Sequence, residues 1–401
     1  MRRRMPVSPM SDSILLLYRG GTAGIIPTVS NEALRLAREG FSVTLVLLGD
    51  PDPSLAHQDI EGVRIIRPRL WTRRLPKTGW AWAIKYIEFL IRFFFRTLLH
   101  PAGLVVAHDI DLLPAAWPAA RLSKKRLVYF AVELYAERPG VPLPNLWRGF
   151  DRFFARHVDA VVSPQEDRTA FMVEKYGIHE PIVTVRNVPF WEPGAKDHQD
   201  EIRTWFRERG IEPARIALYQ GMLTPRRCVY ELAEAAALLD PGIVIVLIGS
   251  MTEEVRGEFE RRVRSHGSRE KIFLYGYVLP DQLAPLTASC DLGLVLQKNL
   301  GANTFYAAPI KMYQYLAAGL PVIGSDFPSI TKVLEDPERP VGVGVDPEDP
   351  QKIAGAINRL FSDEDHYEEL RRNALWLAEN RYRYDLESKP MVELYRRLLG
   401  N

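Results

Sequence analysis

Short apolar segments of strand length alternate with helix-length segments along most of this chain. In its first half the strands predicted from this pattern are Ile14–Tyr18, Val43–Leu48, Val63–Ile66, Leu104–Ala107, Leu127–Val132, Ala160–Val162 and Ile182–Val185. In its second half they are Ile216–Gln220, Ile243–Ile248, Ile272–Tyr275, Leu292–Leu296, Val322–Gly324 and Val341–Val345. Apolar strands connected by helices form parallel sheets that are covered on both faces. The sequence therefore predicts an α/β fold with two doubly wound, Rossmann-like domains that face a cleft.

A polar segment separates the two halves. Residues 186–201 read RNVPFWEPGAKDHQDE, which is rich in Pro, Gly and charged residues and predicts a linker near residues 190–200. The 401 residues, of which 47% are hydrophobic, suffice for two cores. We therefore expect domains over residues 1–195 and 196–385, followed by a terminal helix within residues 386–401.

The segment from Ala308 to Ile330, APIKMYQYLAAGLPVIGSDFPSI, joins a helix, a sharp stop and a buried strand. Gly319 and Pro321 end the predicted helix. Lys311 and Gln314 lie three residues apart on one face near the start of that helix, where backbone N–H groups and the helix dipole favour an anion. This arrangement suits a diphosphate.

The same segment resembles the Lys-x-x-acid-Tyr-x-x-x-Gly-x-Pro-Val-Ile signature of nucleotide-sugar-dependent glycosyltransferases with the GT-B fold, group 1 or family 4-like. The resemblance implies that this helix holds the sugar nucleotide, with Lys311 near the phosphates and an acid on the ribose. It also implies that the terminal helix of residues 386–401 crosses back to pack on the first domain. Gln314 occupies the position of that acid, and Tyr306 occupies the position of a second acid eight residues earlier. The paired glutamates of the largest retaining branch are thus absent, although an amide can still hydrogen-bond ribose hydroxyls.

Three other strand ends of the second half fit the same family. In LYQGMLTPRRC, Gly221 allows a tight turn, and Arg226 and Arg227 precede the next helix, as in a phosphate-binding loop. The resemblance matches Arg227 to a family cation, whereas Met222 replaces the arginine that often follows the glycine. The resemblance also implies donor contacts at the following strand ends: Gly249, Ser250, Tyr277 and Val278. Exposed arginines at a helix start are the ordinary alternative for Arg226 and Arg227.

The first half is expected to bind the acceptor. YRGGTAG follows the first predicted strand, and its glycines suit a loop whose backbone approaches a phosphate or a sugar, although the GxGxxG pattern is absent. The resemblance implies that Gly21 approaches the donor diphosphate and that Gly20 and Asp111 contact the acceptor.

Polar residues follow two strands of the first half. His108, Asp109 and Asp111 follow one strand and Glu133 follows another, at the edge where open α/β sheets bind ligands. The first group resembles the family's His-x-x-Asp-x-Leu-Pro segment and the second its Val-Tyr-x-Ala-His-Glu segment, with Val132 in place of the histidine. A strand end that carries an acid but lacks that histidine resembles the corresponding strand end of inverting GT-B enzymes. We therefore select Glu133 as the general base, with Asp109 and His108 as further catalytic candidates. A salt-bridge role for Glu133 and an acid-bonded structural role for His108 remain the alternatives.

Metal ions and cofactors are not expected. Asp109 and Asp111 form an Asp-x-Asp pair, but two acids without further ligands are a poor metal site. The nucleotide-sugar is a co-substrate rather than a cofactor. Cys228 and Cys290 are isolated, which favours a reducing compartment. MRRRM lacks the apolar run of a signal peptide behind it, so a cytoplasmic location is expected.

The first half also carries a basic region. Residues 60–130 contain thirteen Lys and Arg against four acids. Within it, residues 80–99 predict a helix whose charges, Lys85, Glu88, Arg92 and Arg96, form one narrow stripe, and a charge on every turn argues against a membrane span. Two interpretations remain: a helix lying on an anionic membrane surface at the inner face of the cell membrane, or a mostly buried core helix. Nucleic acid binding is not expected.

The resemblance implies a hexosyltransferase that moves a sugar from a UDP- or GDP-sugar to a hydroxyl of a glycan or lipid-linked glycan, and we expect it to act in cell-surface polysaccharide assembly. A nucleotide-sugar 2-epimerase of the same fold is one alternative. A catalytically silent partner subunit or sugar-nucleotide sensor is another, because Met222, Val132, Tyr306 and Gln314 replace typical working residues.

Overall fold

The computed structural model describes residues 12–20, 26–48, 57–76, 79–178, 181–190 and 200–400. The chain divides into two compact units. Unit 1 comprises residues 1–187 with 387–401, and unit 2 comprises residues 188–386. The expected boundary at residues 195 and 196, residue Gly21 and the basic MRRRM segment lie outside the described residues.

Unit 1 is built on a sheet with the strand order β3-β4-β2-β1-β5-β6-β7-β8. The strands are β1 Ser13–Leu17, β2 Ser42–Val46, β3 His57–Ile60, β4 Val63–Ile66, β5 Leu104–His108, β6 Arg126–Phe130, β7 Ala160–Ser163 and β8 Ile182–Thr184. All neighbours pair in parallel except β3, which runs antiparallel to β4. Seven of these strands match the predicted ones. The eighth, β3, reads HQDI and lies largely exposed, so it has no apolar pattern by which to recognise it.

Helices cover this sheet. They are α1 Pro27–Arg38, α2 Trp80–Leu99, α3 Leu113–Leu122, α4 Pro144–Phe154, α5 Glu166–Tyr176 and, from the end of the chain, α16 Lys389–Leu399. Proline is tolerated in the first turn of a helix because no intrahelical bond uses its missing N–H. Pro27 therefore begins α1, and Pro390 lies in the first turn of α16.

Unit 2 contains a fully parallel sheet with the order β11-β10-β9-β12-β13-β14. Its strands are β9 Arg215–Gln220, β10 Ile243–Ile248, β11 Ile272–Gly276, β12 Leu292–Val295, β13 Val322–Ser325 and β14 Gly342–Val345. Its helices are α6 Glu201–Arg207, α7 Val229–Ala237, α8 Glu253–His266, α9 Leu283–Ala288, α10 Ala302–Phe305, α11 Ile310–Ala317, α12 Pro328–Leu334, α13 Pro350–Ser362 and α14 Glu364–Asn380. A short helix, α15 Tyr384–Glu387, leads back to unit 1. The predicted helix, stop and strand of residues 308–330 are α11, the turn through Gly319 and β13.

The helix α16 packs within unit 1. Met391, Val392, Leu394 and Tyr395 are buried, and the Tyr395 hydroxyl donates to Oε1 of the buried Glu32 on α1 at 2.7 Å. The sequence pattern predicts one helix from about residue 386, whereas the structure has a break at Ser388 between α15 and α16.

The helix α2 spans the predicted residues 80–99, but it is not a core helix. Only Ala81, Phe89, Phe93 and Thr97 are buried. Five large apolar side chains are between 41% and 77% exposed: Ile84, Ile87, Ile91, Phe95 and Leu99. The interpretation of α2 as a mostly buried helix is therefore wrong.

None of the helices in the described part of the chain combines the length and the apolar content that crossing a membrane requires.

One buried acid makes the stability of unit 1 depend on pH. Asp151 of α4 is 1% exposed, and its Oδ1 accepts the Tyr129 hydroxyl at 2.9 Å. Burial, with a smaller contribution from Glu137, raises the pKa of Asp151 to about 7. Because the folded state keeps this proton to a higher pH than the unfolded state, the stability contribution is full below about pH 4 and is lost as the pH rises through 7.

Between pH 5 and pH 8 the parent should therefore lose stability as Asp151 ionises. Asp151→Asn is neutral at every pH, so we expect it to lose less free energy of unfolding over this range than the parent, by on the order of 1–3 kcal/mol. Thermal or urea unfolding at the two pH values measures this difference. Glu174→Gln, at an exposed acid on α5, is the matched control. Equal pH dependence in Asp151→Asn and the parent would show that Asp151 is ionised in the fold.

Candidate functional site

The strand order of unit 2 places a ligand crevice at one point of the sheet. The chain proceeds from β9 to β10 and β11 on one side and then returns to β12 on the other side. In open parallel sheets, ligands bind at the carboxyl ends of the strands where the order reverses in this way. Gly221 follows β9 there, and Gln297 lies two residues beyond β12.

Two glycines allow the loops at this edge to touch. Gly249, after β10, has a φ of 153°, and a Cβ at this position would lie 1.8 Å from the carbonyl oxygen of Gly221. The Gly221 N–H donates to the Ile248 carbonyl at 2.9 Å, and the Gly249 N–H donates to the Gly276 carbonyl at 2.8 Å. Gly221 itself has a φ of 118°. These contacts join the ends of β9, β10 and β11 into one backbone surface.

Lys311 reaches this surface from α11. Its Nζ lies 3.6 Å from the centre of the Tyr219 ring, and a Cβ on Gly221 would lie 3.8 Å from the same Nζ. Burial lowers the pKa of Lys311 well below its usual value, and the Arg227 cation lowers it further. Within the described residues, no carboxylate pairs with the Lys311 ammonium. A cation in this position is best compensated by an anion from outside the protein.

Two arginines lie in a short turn, Pro225–Arg227, ahead of α7. The Arg227 guanidinium donates to Oε1 of Gln297, whereas the Arg226 side chain is exposed. Neither forms an ion pair with a described carboxylate. We call Gly221, Arg227, Gly249, Lys311 and Gln314 the cation cluster. Gly221 lies against Gly249 and near Lys311, Gln314 bonds to Gln220 at the end of β9, and the charge of Arg227 acts on Lys311.

Gln314 is held by a chain of amide and hydroxyl bonds. The Gln220 amide donates to Gln314 Oε1 at 2.9 Å, and the Thr287 hydroxyl donates to Gln220 Oε1 at 2.8 Å. With its oxygen occupied, Gln314 retains its NH2 group to donate. Sequence reasoning missed Gln220, Thr287 and Gln297. Gln220 ends an otherwise apolar buried strand, and this was the signal that could have revealed it.

The remaining predicted donor residues follow β10, β11 and α10. Tyr277 and Val278 directly follow Gly276, and the Tyr277 side chain is 65% exposed. Ser250 is exposed, and its carbonyl accepts the Leu223 N–H at 2.9 Å. Tyr306 lies at the end of α10, with its ring centre 5.2 Å from that of Phe305.

Unit 1 has its own reversal of strand order, between β1 and β5. Gly20 lies beyond β1, Asp109 follows β5 and Glu133 lies beyond β6, so all three are at the carboxyl edge of the sheet. A Cβ on Gly20 would lie 1.7 Å from a ring atom of Tyr18, so a larger residue here would displace the Tyr18 ring. We call Asp109, Asp111 and Glu133 the acid cluster.

Asp109 is the most perturbed member of the acid cluster. Its backbone has a φ of 71°, which is rare for a residue with a side chain, and its Oδ1 accepts the Glu133 N–H at 2.9 Å. Burial raises the pKa of Asp109 well above its usual value, and the Glu133 and Asp111 carboxylates raise it further. A carboxyl group with raised pKa and strained backbone at a sheet edge is typical of a site that transfers protons.

The other two acids have cationic partners. The Asp111 carboxylate is buried and lies 2.6 Å from Nε of Arg19, and burial raises the pKa of Asp111. The Glu133 carboxylate lies 3.1 Å from Nε of Arg138, with both side chains about 40% exposed. The salt-bridge alternative for Glu133 is thus present in the structure, and its exposure still leaves the carboxylate accessible.

His108 differs from the other catalytic candidates because its side chain is fully buried. Its Nδ1 lies 2.9 Å from the Leu17 carbonyl, and its Nε2 lies 2.5 Å from Oε2 of Glu32. Since the carbonyl can only accept, Nδ1 carries a proton, and a second proton is shared between Nε2 and Glu32. Both ring nitrogens are occupied, so the imidazole has no free nitrogen for a substrate, as in the structural alternative for this residue. The acid that orients it is Glu32 rather than Asp109.

Two family models match the chain. The model described as glycosyl transferases group 1 matches residues 201–375, and the model described as glycosyl transferase 4-like domain matches residues 23–188. An uncharacterized glycosyltransferase from Methanocaldococcus jannaschii is 23% identical over 207 residues, 51% of each chain. The match spans about half the length of the curated relatives.

Solved structures of similar fold cover nearly the whole chain. Sucrose-phosphate synthase from Thermosynechococcus elongatus superposes with a TM-score of 0.77 at 16% identity, covering 97% of this chain and 99% of that one. Anabaena HepE in complex with UDP and glucose gives a TM-score of 0.73 at 14% identity, covering 95% of this chain and 98% of that one.

The close loop contact predicts that Gly249→Ala destabilises unit 2. Because the added methyl would overlap the Gly221 carbonyl, one of the two loops must move, and we expect a loss of at least about 2 kcal/mol in the free energy of unfolding. Chemical unfolding measures the loss. Gly257→Ala on α8 is the control, since its Cβ meets nothing within 4 Å and alanine favours helix. Equal stability of the two variants would contradict the proposed contact.

Proposed function

The chain belongs to the group 1 glycosyltransferases and has their GT-B fold, and from this premise we propose that it transfers a hexose from a nucleoside diphosphate sugar to a hydroxyl group of a glycan. The observation that carries the proposal is Lys311, a part-buried cation at a strand-end loop of unit 2 with no carboxylate partner among the described residues. A diphosphate supplies the missing negative charge.

On the donor side, the cation cluster would stabilise the departing nucleoside diphosphate. Charge accumulates on the phosphate oxygens as the bond to the sugar breaks, and fixed cations lower the energy of that state. Lys311 lies beside Gly221, Arg227 acts electrostatically on Lys311, and the exposed Arg226 would add a third cation. We propose that these side chains, rather than a metal ion, neutralise the diphosphate.

The donor amide Gln314 would hydrogen-bond a ribose hydroxyl in place of the family's acid. Because its oxygen is occupied by Gln220, the ribose oxygen would accept from the Gln314 NH2 group. UDP and GDP both remain candidates for the nucleotide. The similarity to HepE, whose structure contains UDP, favours uridine.

On the acceptor side, the acid cluster would receive a proton. The acceptor hydroxyl attacks the anomeric carbon, the bond from that carbon to the diphosphate oxygen breaks, and the hydroxyl proton passes to a carboxylate. Glu133 is accessible and is our choice of base, and Asp109, hydrogen-bonded to the Glu133 backbone, would tune its charge. Asp111 and Gly20 would position the acceptor.

Two observations bear on the location of the protein and on its acceptor. Cys228 and Cys290 are both buried and unpaired, which fits a reducing cytoplasm. We propose a lipid-linked glycan of cell-surface polysaccharide assembly as the acceptor, because unit 1 carries an exposed apolar helix beside many cations.

Nucleotide binding is predicted to depend on Lys311. UDP or GDP should raise the melting temperature of the parent protein, and Lys311→Met should weaken binding at least tenfold, since a charge-assisted hydrogen bond is lost. Thermal shift across a nucleotide concentration series measures this. Lys352→Met, exposed on α13, is the control and should bind as the parent does. If neither nucleotide nor any UDP- or GDP-sugar shifts the parent protein, the transferase proposal is wrong.

Sugar transfer is predicted to depend on the acid cluster. Glu133→Gln should lower kcat by about a hundredfold or more while nucleotide binding stays unchanged, because only the proton acceptor is removed. UDP release from a panel of UDP-sugars, with alkyl glycosides as acceptors and anomeric analysis of the product, measures the rate. Glu166→Gln, at an exposed acid on α5, is the control.

The comparison with Asp109→Asn assigns the base. Full activity of Glu133→Gln together with an inactive Asp109→Asn would move the base to Asp109. Nucleotide binding without transfer to any acceptor would instead favour the sugar-nucleotide sensor.

A further inference from the structure

The exposed face of α2 is continuous along the helix. Ile84, Ile87, Ile91, Phe95 and Leu99 are spaced three or four residues apart, so they share one side of the helix. The opposite side, with Phe89 and Phe93, is buried. Contiguous exposed apolar surface of this kind is uncommon in proteins that have no partner for it.

A groove of about 730 Å³ runs along this face. It is lined by the apolar face of α2, by Pro68 and Trp71 from the preceding segment, and by His100 and Pro101 after the helix. Trp71 is 82% exposed and Trp80, at the start of α2, is 68% exposed. Tryptophan favours the boundary between lipid headgroups and acyl chains, since its ring is apolar and its N–H is polar.

The charges beside the groove are mainly positive. Arg92 and Arg96 line it, with the Arg92 guanidinium stacked 4.8 Å from the centre of the Trp71 ring. Glu88 is the sole acid in the sequence of α2, and its carboxylate is occupied by Arg92 at 2.7 Å and by the backbone N–H groups of Trp71 and Thr72 at 2.8 and 2.7 Å. No described carboxylate pairs with Arg96. Arg96 is therefore available to an anionic surface, whereas Arg92 and Glu88 pair with each other.

The cations near the groove also act on His100, which lines it. Burial and, to a smaller extent, the nearby cations Lys125, Arg96 and Arg64 together lower the pKa of His100 to about 4. His100 is thus neutral near pH 7, and the region remains positive through Arg64 and Arg96. Anionic lipid headgroups complement this charge, whereas an uncharged apolar partner would leave it unpaired.

We propose that the exposed face of α2, the groove beside it and the flanking arginines form a docking surface for an anionic phospholipid bilayer. The apolar side chains enter the boundary of the acyl chains while Arg64 and Arg96 contact phosphates, with α2 parallel to the membrane plane. Docking is independent of the proposed transfer chemistry. It would bring unit 1 to a surface where lipid-linked acceptors reside.

Vesicle flotation of the full chain tests the proposal. We expect the parent protein to float with vesicles of 70% phosphatidylcholine and 30% phosphatidylglycerol and to remain at the bottom with pure phosphatidylcholine. Ile87→Gln/Ile91→Gln should reduce the floated fraction at least tenfold, because two exposed apolar side chains are replaced. Arg64→Glu/Arg96→Glu should reduce it to a similar degree on the anionic vesicles, and 1 M salt should weaken binding of the parent.

Two controls distinguish docking through α2 from misfolding and from nonspecific hydrophobic binding. Leu146→Gln/Val173→Gln replaces two apolar residues of similar exposure on α4 and α5 and should float as the parent does. Melting temperatures and nucleotide-induced shifts should be the same in all variants, which distinguishes failed docking from failure of the transferase proposal.

Two results would overturn the membrane assignment. One is flotation that is unchanged by Ile87→Gln/Ile91→Gln. The other is absence of flotation on anionic vesicles together with a dimer, seen by light scattering, that dissociates in the same variant, since α2 would then contact a second copy of the chain.

Discussion

Parallel pairing of buried strands is the constraint from which the rest of this structure follows. In both units, neighbouring parallel strands end at the same edge of the sheet, so residues far apart in sequence meet there. Asp109 and Glu133 share a hydrogen bond because β5 and β6 end side by side. Gly221 and Gly249 touch because β9 and β10 do the same. Each cluster lies beside the point where the strand order of its sheet reverses.

A buried network of hydrogen bonds holds the end of β5, next to the acid cluster. His108, the last residue of β5, lies between the Leu17 carbonyl of β1 and Glu32 of α1, and Glu32 also accepts the Tyr395 hydroxyl of α16. Buried charges are stable only when hydrogen-bonded, and these bonds link two strands and two helices. The network holds His108 in place, and the next residue, Asp109, has the unusual backbone conformation. The last helix of the chain thus supports a site that is built from its first half.

The cation cluster shows how the departures from the family pattern are accommodated. Gln314 replaces an acid, and the structure orients it through Gln220 and Thr287 so that its NH2 group remains free to donate. Met222, in place of an arginine, is 66% exposed and leaves Arg227 and Lys311 as the inner cations. The low pKa of Lys311 without a ligand follows from burial beside Arg227, and an anion would reverse that effect.

The sequence by itself determined the fold class, the family and nearly every strand. Apolar strands have to be buried on both faces, and that requirement leaves a clear pattern in the chain. The sequence did not reveal β3, whose exposed residues carry no such pattern, or the break at Ser388 between α15 and α16. Tertiary structure alone decided which side chains meet: it buried His108 against Glu32, paired Asp111 with Arg19, and placed Gln220 beside Gln314. It also left the apolar face of α2 in solvent, because helical periodicity shows that a face is apolar but not what covers it.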